Sequence, residues 1–202
     1  MSIIGLCGKM GSGKDFIATK YIIPFLQANS RVLQMSFADQ LKVNVMAKHN
    51  VSFTDIYEEK NKNSRMLLQL EGTENGRDKF GYDIWIQYFD KWLQVHKSRG
   101  IENIVCCDVR FKNEVDYIKS KNGVLIKIDA PIRNKKRLED ESKNDQQIYD
   151  RLSNHISECD LDSLKDNEFD AIIHNDEVTI EREIIEMLKC ISKKINNSNL
   201  LV

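Results

Sequence analysis

Three observations predict an α/β fold built on a mostly parallel sheet with helices on both faces. Short apolar runs of strand length alternate with stretches of helical spacing, and only two prolines and nine glycines interrupt that order. Residues 3–7 are a fully apolar run, consistent with a buried strand. Residues 14–26 then carry helical spacing through Phe16, Ile17, Tyr21, Ile22 and Phe25. A second strand is expected over 31–37, followed by a helix from about Ala38 to Lys48. A long helical region, about 55–98, is expected to break near Gly72, Gly76 and Gly81. Its last segment, 83–97, places Ile84, Tyr88 and either Trp92 or Leu93 on one face. Residues 103–107 form another buried-type strand that ends at Asp108, and 111–121 suits a helix stopped by Asn122 and Gly123. The next strand is 124–128, the last strand 171–174, and the last amphipathic helix 178–195, with a tail at 196–199 expected to fray.

One stretch departs from this alternation. Residues 132–150 are almost all charged or amide side chains, so they cannot bury a face and are expected to be solvated and mobile. No domain boundary is evident: the chain reads as a single domain over 1–202 with two excursions, a helical one at about 55–98 and the charged one at about 132–151. A chain of 202 residues buries roughly 70% of its unfolded surface and needs no disulfide or structural metal to hold it. No apolar run approaches the roughly 18 residues that span a bilayer. The first residues lack the basic leader, long apolar stretch and cleavage site of a secretory signal, so a cytoplasmic setting without a membrane partner is expected. Lys and Arg number 30 against 31 Asp and Glu, for a net charge of −1, which argues against a polymeric nucleic acid as partner. Five cysteines and four scattered histidines offer no zinc spacing; Cys106 and Cys107, inside an apolar run, read as small core residues.

The first strand runs directly into Gly8-Lys9-Met10-Gly11-Ser12-Gly13-Lys14-Asp15, and a helix follows. This is the G-x4-G-K spacing of a phosphate-binding loop in the strand–loop–helix context it requires. Glycines let the backbone wrap a phosphate with several N–H groups turned inward at the positive end of a helix, and Lys14 adds a cation for the β- and γ-phosphates. ATP is therefore the expected ligand, held by Gly8, Gly11, Ser12, Gly13, Lys14, Asp15 and Phe16. Asp15 stands where Ser or Thr usually offers a hydroxyl to Mg²⁺; a carboxylate can serve that ion directly or through water, and an acid in the first turn also suits the helix dipole. A second carboxylate, Asp108, closes a strand at the end where α/β sheets collect ligands. It can serve Mg²⁺, grip a second substrate, or cap the strand, and Arg110 lies within reach of a phosphate there. The charged stretch carries Arg133, Lys135, Lys136 and Arg137, with Arg151 just after it, and its place after a strand suits a lid over the transferring group or, more plainly, a solvated helix.

Four segments carry a resemblance: the loop ending G-S-G-K-D; Phe37-Ala38-Asp39-Gln40-Leu41-Lys42; the run 65–85; and Asp108-Val109-Arg110-Phe111-Lys112-Asn113-Glu114. The third is the most specific, with Arg65-Met66-Leu67-Leu68-Gln69, then Gly72-Thr73-Glu74, Gly76-Arg77, and Asp83 and Trp85. His155-Ile156-Ser157-Glu158 is a weaker fifth. In these residues the chain resembles the deoxynucleoside monophosphate kinases of bacteriophages and large DNA viruses, over most of its length and in the family's order. The resemblance implies a P-loop NTPase fold of three α/β/α layers with a helical acceptor-binding excursion and a mobile lid. It also implies transfer of the ATP γ-phosphoryl group to a deoxynucleoside 5′-monophosphate with Mg²⁺ as cofactor, and it leaves a homodimer open. By position, Lys42, Arg65, Gln69, Gly72, Thr73, Arg77, Trp85, Asp108, Arg110 and Asn113 would line the acceptor pocket, and Arg133 and Arg137 would act from the lid. Arginines suit a phosphate bidentately and Trp85 offers a flat face to a base; as plainer roles, Trp85 fills a helical core and Arg65 and Arg77 form surface ion pairs. Glu71 stands before Gly72 where relatives often have Leu.

Catalysis on this reading is positioning and charge neutralisation, with no general base, because the acceptor phosphate is already ionised near neutral pH. Lys14 holds the donor and Asp15, with Asp108, serves the metal. Two other readings share the loop: an animal-type phosphomevalonate kinase, which has the S-G-K-D loop without the 65–85 pattern, and a slow ATP-hydrolysing switch protein.

Overall fold

The computed structural model describes residues 1–58, 62–143, 145–176 and 180–199. The expected helical region 55–98 includes residues 59–61, the charged stretch includes Asn144, and the expected last helix begins at Val178; these positions lie outside the described residues. The chain divides into two compact units, one of residues 1–35 and 96–202 and one of residues 36–95.

The first unit is built on a five-stranded, all-parallel sheet: β1 (Ser2–Cys7), β2 (Val32–Gln34), β3 (Asn103–Val109), β4 (Val124–Asp129) and β5 (Ala171–His174), in the spatial order β2-β3-β1-β4-β5. β1 is central because its residues are apolar on both faces. Ile3, Ile4 and Leu6 are fully buried, and β3 and β4 on either side are nearly as dry. The edge strands are shorter and half-buried, as edges must be to discourage further pairing. The expected second strand, 31–37, shrinks to Val32–Gln34, and Met35 adds one more backbone bond to Val105 at 3.0 Å. Ile4, Leu6, Val105, Ile126 and Ile173 pack against Ile17, Ile22 and Leu26 of the first helix and Ile184, Met187 and Ile191 of the last.

The first helix spans residues 14–27 despite Pro24. A proline inside a helix lacks an N–H and clashes with the carbonyl four residues back. The wide turn Ala18–Ile22 immediately before it opens the helix where that clash would fall. Helix Lys112–Ser120 ends as the sequence predicts: Asn122 takes a left-handed φ of 54° and Gly123 donates to the Ile118 carbonyl at 2.9 Å. The charged stretch is helical, over Pro131–Ser142 and the start of Gln146–Ser153, and it buries two of its residues, Asn134 and Ser142, with Leu152 buried just past its end. It buries no apolar face, as expected, but single amide and hydroxyl groups do go inside where a backbone partner awaits them. The last helix, Glu181–Asn199, runs through the tail expected to fray.

The second unit is helical: Asp39–His49, the turn Thr54–Glu58, Lys62–Gly72, the turn Thr73–Arg77, Asp78–Phe80, and the start of Ile84–Ser98. Two expectations are corrected here. Gly72 and Gly76 do not break the helix; only Gly81 does, with φ 104°. The other two glycines are places of close approach: a Cβ at Gly72 would lie 2.9 Å from Leu41, and one at Gly76 would lie 2.7 Å from both the Trp85 ring and the Glu71 carbonyl. The buried face of Ile84–Ser98 is Trp85, Ile86, Phe89 and Leu93, whereas Tyr88 and Trp92 are exposed. Of the face expected, Leu93 is buried and Ile84 half-buried, but Trp85 and Phe89 go inside where Tyr88 was expected, because aromatic residues occur on both sides of this helix and spacing alone does not rank them.

Gly76→Ala is expected to destabilise the protein by about 1–3 kcal/mol, since a backbone carbonyl and an indole ring cannot both yield. Urea unfolding checks this, and a change below about 0.5 kcal/mol would contradict the packing described.

Candidate phosphate-transfer site

The loop between β1 and the first helix is shaped by its glycines. Gly11 and Gly13 take left-handed φ values of 80° and 88°, which L side chains rarely adopt. The space at Gly11 is equally restrictive, because a Cβ there would meet the Arg137 side chain at 2.6 Å. Ser12 is fully buried and donates its N–H to the Lys9 carbonyl at 3.2 Å. Lys14 is buried too, and its Nζ donates to the carbonyls of Gly8 at 2.6 Å and Lys9 at 2.8 Å and to Ser12 Oγ at 3.2 Å. Burial pulls its ammonium down from the usual lysine range to about 7, and the nearby Arg110 guanidinium pushes the same way.

Three side chains from distant parts of the chain fix this loop. Asn134 Nδ2 donates to the Met10 carbonyl at 2.7 Å, Asn175 Nδ2 to the Ser12 carbonyl at 2.8 Å, and Glu158 Oε2 accepts the Met10 N–H at 2.8 Å. Asp176 caps helix Pro131–Ser142 by accepting the N–H groups of Ile132 at 2.6 Å and Arg133 at 3.0 Å. That helix lies against the loop: the Arg133 carbonyl is 3.3 Å from where a Gly11 Cβ would stand, and Arg137 packs on the same spot. Arg137 Nη2 pairs with Glu141 at 2.5 Å, one turn along.

The residues foreseen around the loop lie in this same unit. Asp15 is exposed and its Oδ1 accepts from Gln34 Nε2 at 3.4 Å. Phe16 is half exposed, edge-on to Tyr21 with Lys20 over its ring. Asp108 is half-buried and accepts from the Cys106 thiol at 3.1 Å. The three thiols nearest the site, Cys7, Cys106 and Cys107, are buried, and burial pushes each of them up, Cys7 to about 12, so they stay protonated. Arg110 is held from two sides: Glu114 accepts its backbone N–H at 2.8 Å, and its guanidinium pairs with Glu158 and donates to the Ser157 carbonyl at 3.3 Å. Asn113 is half-buried in the first turn of Lys112–Ser120.

No family model matches the chain. A protein of Acanthamoeba polyphaga mimivirus named as a deoxynucleotide monophosphate kinase is 30% identical over 210 residues, covering 95% of this chain and 96% of its own. The chain belongs to the deoxynucleotide monophosphate kinase family. The crystal structure of APE1195, 14% identical, matches over 96% of both chains with a TM-score of 0.50, a likeness of fold. The phosphate loop follows β1, the central strand of the parallel sheet.

The remaining candidates of this kinase lie in the helical unit. Lys42 Nζ donates to Asp39 Oδ1 at 3.2 Å and Ser36 Oγ at 3.3 Å, and sits 4.6 Å above the Tyr57 ring. Arg65, Gln69, Gly72 and Thr73 follow one another along Lys62–Gly72 and the turn after it; Arg65, Gln69 and Thr73 are half-buried. Among the described residues Gln69 Oε1 is buried without a hydrogen-bond partner. Arg77 is 5% exposed, with Nη1 donating to the Tyr82 carbonyl at 2.6 Å. Trp85 is 7% exposed, and its Nε1 donates to the Gly72 carbonyl at 2.9 Å. Sequence reasoning missed Asn134, Glu141 and Asn175 altogether, and it passed over Glu158 as part of a weak motif. Only Glu158 had a signal to offer.

Lys14 binds its proton less tightly in the folded protein, near 7, than in the unfolded chain, near 10.5. Between those values the unfolded state carries more protons, so the stability of the nucleotide-free protein rises with pH across that window. Urea midpoints at pH 7, 8 and 9 should climb in the wild type relative to Lys14→Met; parallel profiles for the two would refute the buried ammonium.

Proposed function

We propose that this kinase transfers the γ-phosphoryl group of ATP to the 5′-phosphate of a deoxynucleoside monophosphate, giving ADP and the deoxynucleoside diphosphate. The observation that carries this reading is the pairing of the Lys14 loop with a helix whose Arg133 and Arg137 stand against Gly11. Beside the loop, a small kinase needs cations that neutralise charge on the moving group, and these arginines are placed to supply them. Family membership selects the acceptor class, because the mimivirus relative is named for a deoxynucleotide monophosphate. That relative's viral origin also favours the host cytoplasm as the setting.

The acceptor phosphate oxygen attacks the γ-phosphorus and the bond to the β–γ bridging oxygen breaks, leaving ADP. The second pKa of a phosphate monoester is about 6, so the nucleophile is already an anion and no side chain has to remove a proton. Lys14 turns from the loop carbonyls to the β- and γ-oxygens of the donor. Arg133 and Arg137 act as the lid, neutralising charge on the transferring group and excluding water, for which Arg137 exchanges Glu141 for phosphate. Arg110 serves phosphate from the end of β3. Lys42, Arg65, Gln69, Thr73 and Arg77 are the candidates for the acceptor within the helical unit. Trp85, with its indole N–H engaged and its ring packed on Gly76, shapes that region from within.

The residues present fit Mg²⁺: Asp15 is an exposed hard oxygen ligand at the end of the loop, and Asp108 is a second carboxylate at the end of β3. Mg²⁺ generally keeps most of its waters and needs one or two carboxylates beside the phosphates, and bound there it would supply charge for the β- and γ-oxygens.

Incubation with Mg·ATP and each deoxynucleoside monophosphate in turn, with 5-phosphomevalonate and no-acceptor controls, tests the proposal through ADP formation. Turnover is expected with at least one nucleotide. Lys14→Ala should abolish it, and Arg137→Ala should lower kcat by roughly 100-fold while binding ATP within a few-fold of wild type. Turnover with phosphomevalonate alone, or ADP formation indifferent to every acceptor, would overturn the reading.

A further inference from the structure

Glu158 lies in the short helix Ile156–Cys159, far along the chain from the loop, yet its carboxylate is turned inward with its side chain only 10% exposed. One oxygen accepts the Met10 N–H at 2.8 Å, inside the phosphate loop, and the other accepts the Arg110 guanidinium. The local backbone is built to hold it there. His155 caps the helix, its Nδ1 3.2 Å from the Ser157 N–H, and the Ser157 carbonyl takes a second bond from the same Arg110 nitrogen at 3.3 Å. Asp160, at the far end of the segment, accepts the Lys112 N–H at 2.7 Å, which ties this turn to the start of helix Lys112–Ser120 just past β3. A carboxylate beside a phosphate site opposes the anionic ligand, so its presence calls for a reason. Its geometry supplies one: the two groups it joins are the loop that cradles the donor and an arginine whose own backbone Glu114 anchors.

Resting on the phosphoryl-transfer reading above, we infer that Glu158 is a positioning residue of the kinase, a single carboxylate that fixes the Arg110 guanidinium at a set place relative to the Met10 peptide of the phosphate loop. Freed from Glu158, a guanidinium on a long flexible side chain samples many placements, and only a few stabilise the transferring group. Misplacement of a catalytic cation by about 1 Å costs up to about 100-fold in rate. Ground-state binding of ATP depends on the loop and Lys14 and is affected much less.

The test compares Glu158→Gln, Arg110→Ala and the double variant in steady-state transfer from Mg·ATP. Glu158→Gln should lower kcat by about 10- to 100-fold with KM for ATP within about twofold of wild type, and adding it to Arg110→Ala should cost nothing further. A loss below about threefold, or losses that multiply in the double variant, would overturn the inference, because a merely structural carboxylate does not act through Arg110. Should Glu158→Gln fail to fold, Glu158→Asp, which keeps the charge on a shorter arm, is read by the same criteria. Hydrogen exchange at the Met10 amide gives a readout independent of transfer: Glu158→Ala should speed it by about tenfold or more. Unchanged exchange would overturn the inference even in a protein that proved to phosphorylate no nucleotide, whereas absence of transfer by the wild type would count against the functional reading alone.

Discussion

The hydrogen bonds that pin the phosphate loop from outside are the constraint on which the rest of the site depends. A glycine-rich loop is flexible by composition, and ordering it costs more conformational entropy per residue than ordering any other sequence. Positive φ at Gly11 and Gly13 makes the wrapped conformation accessible without making it unique. Uniqueness comes from Asn134 on the Met10 carbonyl, Glu158 on the Met10 N–H and Asn175 on the Ser12 carbonyl. Each satisfies a backbone group that would otherwise be buried unpaired, a loss of about 1–3 kcal/mol apiece. Asn134 belongs to helix Pro131–Ser142, Glu158 to the short helix Ile156–Cys159, and Asn175 to the turn after β5, so the loop is tied to three separate parts of its unit.

This explains how a segment composed almost wholly of charged and amide residues keeps a defined position. Helix Pro131–Ser142 has no apolar face to bury, but Asp176 caps its first turn and Asn134 locks it to the loop, with the Arg137 stem filling the space above Gly11. Polar contacts of this kind hold a helix in one place while remaining exchangeable for phosphate contacts. Arg137 bonded to Glu141 is held yet replaceable, which suits the closure over a transferring group proposed above.

Much of this was legible in the sequence where the information is local. The G-x4-G-K spacing encodes a backbone path, and a strand before it with a helix after it left little else for residues 8–15 to be; Asn122-Gly123 likewise stopped its helix where expected. The place of residues 133 and 137 after β4 left a lid or a solvated helix open, and the stretch is helical. The bracing residues could not, because their contacts with the loop span 124, 148 and 163 positions of chain, and an asparagine aimed at a distant carbonyl has no signature in its neighbours. Gly72 and Gly76 misled for a related reason. A glycine that breaks a helix and one that admits Leu41 or Trp85 look alike until the partner is known. Leu93 is buried as one of the two alternatives expected, whereas the burial of Trp85 and Phe89 in place of Tyr88 reflects a helix with aromatic residues on both faces. Among the residues proposed for the acceptor, burial places Trp85 and Arg77 inside the helical unit rather than on its surface, a distinction that residue type does not make.

The central claim is that this loop and its bracing exist to pass a phosphoryl group to an organic acceptor rather than to water. A single-turnover experiment with γ-labelled ATP, enzyme in excess and the deoxynucleoside monophosphates supplied together tests it directly, by asking where the label goes. The account predicts label in the β-phosphate of a deoxynucleoside diphosphate, with little inorganic phosphate. Label released chiefly as inorganic phosphate at an undiminished rate would contradict it.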